Sequence, residues 1–302
     1  MAIISPIGAA GCPWGERERE QWRSEQSRRR SYQDEVVTPL NALRDRFERV
    51  VYGQITYLDD TYPLYALRSR VIRPELPTVL VTGGVHGYET SGVFGALAFL
   101  DQVASNYSER INLLVAPCVS PWAYERIHRW NYDAIDPNRN FRPGGPLEAT
   151  ALIDLVRSFA NEYLMHVDLH ETTDTDRTEF GPALSARDGI VFVERETPDG
   201  FYLVADSENR QLEFQQAIIA EVERVTHIAQ PDARGEIIGS PVIAHGVIEY
   251  PLARLALCSS ITNARLRTTT EVYPDSARIT PKICICAQVT AVRAAIDSAL
   301  AQ

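Results

Sequence analysis

The sequence predicts a single α/β domain, in which a mixed, mostly parallel twisted sheet carries helices on both faces. Short apolar runs bounded by turn residues are typical of buried strands. They are TVLVTGG (78–84), INLLVAPC (111–118), YLMHVDLH (163–170), GIVFVE (189–194) and ARLALCSSIT (253–262). Segments with helical spacing lie between or after these runs, at 92–104, 148–162, 209–225 and 286–301. Because strands alternate with helices, a largely parallel sheet covered on both faces is expected.

The N-terminal segment differs in composition from the rest of the chain. Its proline- and glycine-containing start is followed by the charged stretch EREREQWRSEQSRRRSYQDE (16–35). Such a stretch is typical of an exposed helical extension that lies outside a hydrophobic core. No internal repeat or low-complexity linker follows it. We therefore predict a charged N-terminal extension over residues 1–37 and one main domain over residues 38–302.

The net charge and the cysteine content of the chain indicate which partners and which cellular compartment to expect. The net charge is −10 at pH 7, whereas nucleic acids and anionic membranes attract clustered positive charge. We expect neither as a partner. No apolar run reaches the roughly 18 to 20 residues that cross a bilayer. The five cysteines are an odd number without metal-type spacing, which favours reduced thiols in a cytoplasmic protein.

A histidine and a glutamate directly after the first predicted strand could bind a metal ion. His86 and Glu89 are three residues apart in the glycine-rich stretch GGVHGYETSG (83–92), and glycine lets the backbone turn tightly there. In a parallel sheet, ligands bind outside the carboxyl ends of the strands. A catalytic zinc ion takes three protein ligands and keeps one position open for water. The pair therefore needs a third ligand from elsewhere in the chain.

The other histidines are the candidates for that third ligand. His166 and His170 share one predicted strand and would be about 13 Å apart, which is too far for one ion. His170 is better placed because it closes the strand at its carboxyl end. Asp168 would point to the same side as His170 and could orient a neighbouring ligand. The remaining candidates are His128, His227 and His245.

Four motifs occur in order along the chain: HGYE (86–89), DPNRNF (136–141), DLHE (168–171) and TTTEVY (268–273). This series resembles the zinc carboxypeptidase family of the carboxypeptidase A type. It is also similar to relatives of that family that deacylate amino acids, such as aspartoacylase and succinylglutamate desuccinylase. The resemblance covers about residues 50–302 and implies a zinc carboxypeptidase-like catalytic domain. It also implies that His86, Glu89 and His170 hold one zinc ion per chain.

The resemblance further implies roles for a glutamate and for several polar residues. Glu271 matches the family's catalytic glutamate, which takes a proton from water and later delivers it to the leaving amine. Asn138 and Arg139 match the pair that binds the terminal carboxylate of the substrate. Arg126 and Arg129 have the family's R-x-x-R spacing. We assign Arg129 to the developing oxyanion and Arg126 to substrate binding.

These residues predict a zinc-dependent metallocarboxypeptidase that hydrolyses the C-terminal amide bond of peptides. The alternative is a zinc-dependent deacylase of N-acyl amino acids, which also end in a free carboxylate. A catalytically silent metal- or peptide-binding protein would need a missing ligand or base, and none is missing. A serine hydrolase is disfavoured because the chain has no GxSxG motif.

Side-chain preference remains open at the level of sequence. The apolar stretch 252–262 would line the specificity pocket and indicates a neutral substrate side chain, whereas Asp174 and Asp176 indicate a positively charged one. The family's mobile tyrosine could correspond to Tyr250 or to Tyr273.

Overall fold

The computed structural model describes residues 7–9, 11–58 and 60–302. The strands of this part are β1 (Phe47–Tyr57), β2 (Asp60–Ser69), β3 (Thr78–Gly83), β4 (Asn112–Ala116), β5 (Met165–Glu171), β6 (Tyr202–Asp206), β7 (Glu236–Ile237), β8 (Ser240–Pro241), β9 (Val247–Tyr250) and β10 (Leu266–Val272). The α-helices are α1 (Glu16–Ser24), α2 (Thr38–Ala42), α3 (Thr90–Gln102), α4 (Pro121–Arg126), α5 (Leu147–Phe159), α6 (Gly181–Asp188), α7 (Leu212–Val222) and α8 (Pro281–Leu300).

Eight strands of the described chain form one mixed sheet in the order β1-β2-β4-β3-β5-β10-β6-β9. Its centre is parallel: β4 pairs with β3, β3 with β5, and β5 with β10. The antiparallel hairpin of β1 and β2 joins one side of this block. On the other side β6 runs antiparallel to β10, and β9 runs parallel to β6. The predicted single α/β domain with a mostly parallel sheet is confirmed, and the carboxyl ends of its central strands share one edge.

Helices cover both faces of the sheet, as the apolar strands require. Alternate residues of β3 point to opposite faces. Val79 packs in a core cluster with residues of α3, α7 and α8, whereas Leu80 packs in a second cluster with α5. Helix α8 is long and apolar enough to span a membrane by length and composition, but more than half of its most apolar stretch is buried inside the protein. We therefore describe α8 as a core helix.

The prediction that the N-terminal extension is exposed is wrong for its described residues. Helix α1 presents a charged face to solvent, but Trp14 and Trp22 are only 5% and 4% exposed. Both indole rings pack against Trp130, at centroid distances of 5.9 and 5.6 Å. Two large aromatic side chains are enough to anchor a highly charged segment, because each buries much apolar area. Residues 1–6 and 10 of the extension lie outside the described residues, and the boundary at residue 37 stays a prediction.

Two of the predicted strands are wrong. Residues 189–194 form no strand: Val191 is 86% exposed, and the segment runs beside the sheet edge instead of inside the sheet. Residues 253–262 form turns and a short 3-10 helix, Cys258–Ser260, after Ala256 adopts a positive φ of 51°. A short apolar run without alternation fits a strand or a packed loop equally well, so its pattern does not decide between them.

A buried carboxyl at the start of α5 makes folding stability depend on pH. Burial raises the pKa of Glu148 from its ordinary value of 4.5 to about 7. The contribution of the neutral Glu148 side chain to the free energy of unfolding is therefore fully present below pH 4.5 and is lost as the pH rises through 7. One pKa unit corresponds to about 1.4 kcal/mol, so the loss is about 3 kcal/mol.

The substitution Glu148→Gln should remove this pH dependence, because glutamine stays neutral. Urea unfolding at pH 9 should show the variant more stable than the wild type by about 3 kcal/mol, and the difference should fall below about 1 kcal/mol at pH 5. Glu213→Gln is the matched control, since Glu213 is exposed in the first turn of α7. A stability difference for Glu148→Gln that does not change with pH would contradict the prediction.

Candidate metal centre and catalytic pocket

The carboxyl ends of β3 and β5 bring the three predicted metal ligands together. His86 and Glu89 lie in the loop between β3 and α3, and His170 lies near the end of β5. Nδ1 of His86 is 2.6 Å from Glu89 Oε1, and Nδ1 of His170 is 2.6 Å from Glu89 Oε2. All three side chains are buried, and one ligand atom from each lies within 4.8 Å of the other two. The predicted convergence of His86, Glu89 and His170 is therefore present.

The contact between His170 and Glu89 fits a shared metal ion better than a hydrogen bond. Glu89 Oε2 is buried without a hydrogen-bond partner in the described chain, although His170 Nδ1 is only 2.6 Å away. Two atoms that approach each other without the angles of a hydrogen bond are arranged like ligands of a common ion. Two imidazole nitrogens and a carboxylate are also a ligand set that zinc takes in catalytic sites.

Carboxylates hold the outer nitrogens of both histidines. His170 Nε2 is 2.8 Å from Asp168 Oδ2, and His86 Nε2 is 3.0 Å from Asp136 Oδ1. Burial acts to raise the pKa of Asp136, but the charges of Arg129 and His86 outweigh it and hold the pKa well below its usual range. Such carboxylates fix the ring orientation and leave Nδ1 free to face the centre. The predicted role of Asp168 as an orienting carboxylate agrees with this contact.

Glycine gives the loop between β3 and α3 its path. Gly84 has a φ of +61°, which side-chain-bearing residues rarely adopt. A Cβ atom at Gly87 would overlap the backbone of Ala123 and Tyr124 in α4, so the loop packs directly on that helix. The Gly87 N–H also donates to the carbonyl of His128 at 2.9 Å. These contacts hold His86 and Glu89 on the same side of the loop.

The predicted general base faces the same centre from the neighbouring strand. Glu271 in β10 is the register partner of His170 in β5. The Thr172 hydroxyl donates to Glu271 Oε2 at 2.9 Å, which orients the carboxylate. Burial raises the pKa of Glu271 to about 7. Glu171, by contrast, accepts a hydrogen bond from the Ser91 N–H at 2.6 Å.

The two arginines of the R-x-x-R pair lie in different surroundings. Helix α4 ends at Ile127 with a positive φ of 55°, which turns the chain between them. Arg129 enters the pocket and pairs with Asp136 at 3.0 Å and with Asp176 at 3.2 Å. Arg126 does not line the pocket, and its guanidinium pairs with Asp60 at 2.7 Å. The structure therefore gives no support for Arg126 as a substrate-binding residue.

Asn138 and Arg139 differ in the contacts that their side chains make within the protein. Asn138 Oδ1 accepts a hydrogen bond from the Cys258 N–H at 2.8 Å, and its Nδ2 is 3.2 Å from His170 Nε2. Arg139 is exposed in the pocket and donates to the Asn138 carbonyl at 2.7 Å. Within the described ranges, no carboxylate forms an ion pair with Arg139. Its remaining N–H groups can bind a substrate carboxylate.

His86, Glu89 and Glu271 line a pocket of about 530 Å³. One wall is the lobe formed by residues 176–197, which includes the segment wrongly predicted as a strand. Tyr250 and Leu257 line the pocket, whereas the Tyr273 hydroxyl is 3.2 Å from Asp174 Oδ1. This placement favours Tyr250 for the predicted tyrosine, and of the stretch 252–262 it is Leu257 that lines the pocket.

Asp176 is held by neighbouring side chains and is not free for a charged substrate. Its Oδ1 accepts a hydrogen bond from the Tyr88 hydroxyl at 2.6 Å and contacts Arg129 at 3.2 Å. The sequence hint that Asp176 favours a positively charged substrate side chain is therefore weakened.

A family match covers the centre of this site. Residues 75–188 match the family described as "Succinylglutamate desuccinylase/Aspartoacylase catalytic domain". This segment contains His86, Glu89, Arg139 and His170. The predicted relationship to the zinc carboxypeptidases and their deacylase relatives is confirmed. No protein of curated function matches the chain significantly.

Solved structures share the zinc carboxypeptidase-like fold. A protein of Shewanella amazonensis SB2B, provisionally named a metallopeptidase, has a TM-score of 0.64 and 20% identity over 87% of this chain and 91% of its own. A metallo-carboxypeptidase of Burkholderia cenocepacia has a TM-score of 0.57 and 13% identity over 95% and 70%. A metallo-carboxypeptidase of Pseudomonas aeruginosa, in complex with (2-guanidinoethylmercapto)succinic acid, has a TM-score of 0.57 and 13% identity over 87% and 68%. At these identities the similarity establishes the fold, and together with the family match it supports a hydrolase.

Asp136 has a role in this zinc carboxypeptidase-like site that its sequence motif did not reveal. Asp136 binds the outer nitrogen of His86 and the guanidinium of Arg129. The Asn138 N–H donates to Asp136 Oδ1 at 2.9 Å and fixes the carboxylate. Its partner His86 lies 50 residues earlier, so no local pattern links the two.

Replacement of Asp136 by asparagine should weaken metal binding without removing a ligand. We expect the zinc dissociation constant to rise about 10- to 100-fold, because a neutral amide could not hold the His86 ring as a carboxylate does. Competition with a chromophoric chelator measures this constant. Asp133→Asn, at an exposed carboxylate in the same loop, should leave it unchanged. Equal zinc affinity in the Asp136→Asn variant and the wild type would refute the role of Asp136.

Proposed function

We propose that this protein is a zinc-dependent metallocarboxypeptidase that hydrolyses the C-terminal amide bond of peptides. The observation that carries the proposal is one pocket that contains three kinds of group. These are the ligands His86 and Glu89, whose buried cluster His170 completes from behind the pocket lining, the carboxylate of Glu271, and the guanidinium of Arg139. A guanidinium fork binds a carboxylate with two parallel hydrogen bonds. Arg139 would thus hold the terminal carboxylate while the scissile carbonyl lies near the ligand cluster.

The chemistry of each group fits amide hydrolysis. When bound by such ligands, zinc lowers the pKa of water toward 7 and polarises a carbonyl oxygen. Glu271 would accept a proton from the attacking water on its carboxylate and pass it to the leaving amine. Thr172 keeps the Glu271 carboxylate oriented during this transfer, since it donates to Oε2. The substrate would therefore meet a base that is already positioned.

Arg129 is our candidate for stabilising the oxyanion that develops on the scissile carbonyl. Its Nε and Nη1 atoms are engaged by Asp136, Asp176 and the Tyr88 hydroxyl. Hydrogen bonds of its Nη2 atom are absent from the described part of the chain, so this donor can point to the substrate. A guanidinium fixed by two carboxylates needs little rearrangement when charge develops beside it.

A second candidate function is deacylation of N-acyl amino acids. The family match favours it, because succinylglutamate desuccinylase and aspartoacylase give the matched family its description. The metal ligands, Glu271 and Arg139 would have the same roles in both reactions. The two functions differ in the group on the acyl side of the cut bond, which is a peptide in one and a small acid in the other.

A substrate panel with a constant C-terminal residue separates the two functions. N-blocked tripeptides and N-acetyl or N-succinyl amino acids that release the same amino acid would be compared by kcat/KM, with chelator-treated protein as the control. The proposed function predicts faster release from the tripeptides and no release after chelation. Higher kcat/KM for the N-acyl amino acids would instead establish the deacylase.

A further inference from the structure

Residues outside the matched segment contact the loop that carries two of the metal ligands. One side of the loop is fixed by α4, through Gly87 and the backbone of Ala123 and Tyr124. A further contact comes from Arg30, in the N-terminal extension. Arg30 Nη1 donates to the carbonyl of Gly87 at 3.3 Å, and Nη2 donates to the Thr90 hydroxyl at 2.8 Å.

These two contacts span the ligand Glu89 along the chain. Gly87 follows His86 directly, and Thr90 follows Glu89 and begins α3. The Thr90 hydroxyl also donates to the carbonyl of Tyr88 at 3.2 Å. Because a guanidinium is planar and rigid, one fork that holds both Gly87 and Thr90 fixes the spacing between them. The fork therefore constrains the backbone that carries Glu89 and that directly follows His86.

Arg30 is itself held in place by neighbouring groups. Its backbone N–H donates to the carbonyl of Glu125 at 3.1 Å, and its guanidinium lies 5.2 Å from the centre of the Tyr124 ring. The Tyr124 hydroxyl in turn donates to Glu35 Oε2 at 2.6 Å. The side chain of Arg30 is half-buried. A side chain already ordered in this way loses little conformational entropy when the ligands close on an ion.

We propose that Arg30 is a positioning residue for the metal centre and that the N-terminal extension is therefore part of the functional site. Arg30 touches neither the ion nor the substrate, and it acts through the backbone of the loop that carries His86 and Glu89. This inference rests on the metal site on which the proposed function also depends. It assigns residues before the matched segment 75–188 a role in metal affinity.

The test compares zinc affinity in Arg30→Ala with that in Arg29→Ala. Arg29 is the matched control, because its backbone also bonds to the Glu125 carbonyl but its guanidinium donates to the Arg126 carbonyl, away from the loop. Chelator competition on purified, folded protein should show zinc dissociation constants raised about 10- to 100-fold for Arg30→Ala and changed less than about threefold for Arg29→Ala. Melting of the metal-free proteins reports any general loss of stability.

Arg30→Lys separates geometry from charge. Lysine keeps the positive charge but lacks the planar fork, so its zinc affinity should lie between those of the wild type and Arg30→Ala. Wild-type affinity in Arg30→Ala or in Arg30→Lys would overturn the proposal, as would equal losses in Arg30→Ala and Arg29→Ala. If the wild type itself binds no zinc, the metal site and the proposed function fail together, which is a different result.

Discussion

Replacement of Glu271 by glutamine should abolish turnover and leave the metal centre intact. Glutamine has nearly the shape of glutamate but accepts no proton from water, and a positioned general base contributes about 10²- to 10⁴-fold to the rate. We therefore expect kcat to fall by about that factor. Zinc content should stay at that of the wild type, because Glu271 is not one of the three clustered ligands.

The control for this experiment is Glu171→Gln. Glu171 directly follows His170 on the neighbouring strand, and its carboxylate binds the Ser91 N–H instead of the hydroxyl that orients the base. We expect a far smaller loss of kcat in this variant. Comparable losses in both variants would point to a general disturbance of the strand ends, and undiminished kcat in Glu271→Gln would rule out Glu271 as the base.

Replacement of His170 by alanine should remove the metal together with the activity. The substitution deletes one of three ligands and removes the imidazole that contacts the buried carboxylates of Glu89 and Asp168. Both hydrolysis and zinc retained after gel filtration should fall to background. Metal analysis of the purified variant and the substrate panel measure the two effects separately.

His166→Ala provides the matched control for that variant. His166 lies on the same strand and is fully buried, but its Nε2 is 2.9 Å from the Thr82 hydroxyl and it is not part of the ligand cluster. The variant should keep its zinc even if it is less stable. Loss of zinc in His166→Ala, with zinc retained in His170→Ala, would show that His166 and not His170 is the third ligand.

The ligand-bearing parts of the fold were predictable because each ligand follows a strong local pattern. The runs before His86 and at His170 are apolar, short and bounded by turns, and they form β3 and β5. The rule that ligands bind at the carboxyl ends of parallel strands then puts both histidines at one edge. The prediction of Glu271 also depended on the order of the motifs, because the threonine-rich strand β10 has little apolar signal of its own.

The remaining features depend on contacts between distant parts of the chain, which local patterns do not encode. Asp136 reaches His86 across 50 residues, and Arg30 reaches Gly87 across 57. Residues 189–194, which belong to the pocket wall, are apolar like a strand. Among the described residues they pair with no strand. The charged residues that follow Trp14 indicated an exposed segment, so the burial of Trp14 was not predicted.

We expect hydrolysis to depend on one metal ion bound by His86, Glu89 and His170. The test of this metal dependence begins with metal analysis of the purified protein. The protein is then treated with chelator and titrated with zinc, and each sample is assayed on the substrate panel. We predict one zinc ion per chain, loss of turnover on removal, and recovery that saturates at one equivalent. Turnover that persists in protein shown to be free of metal would contradict a metal-dependent mechanism.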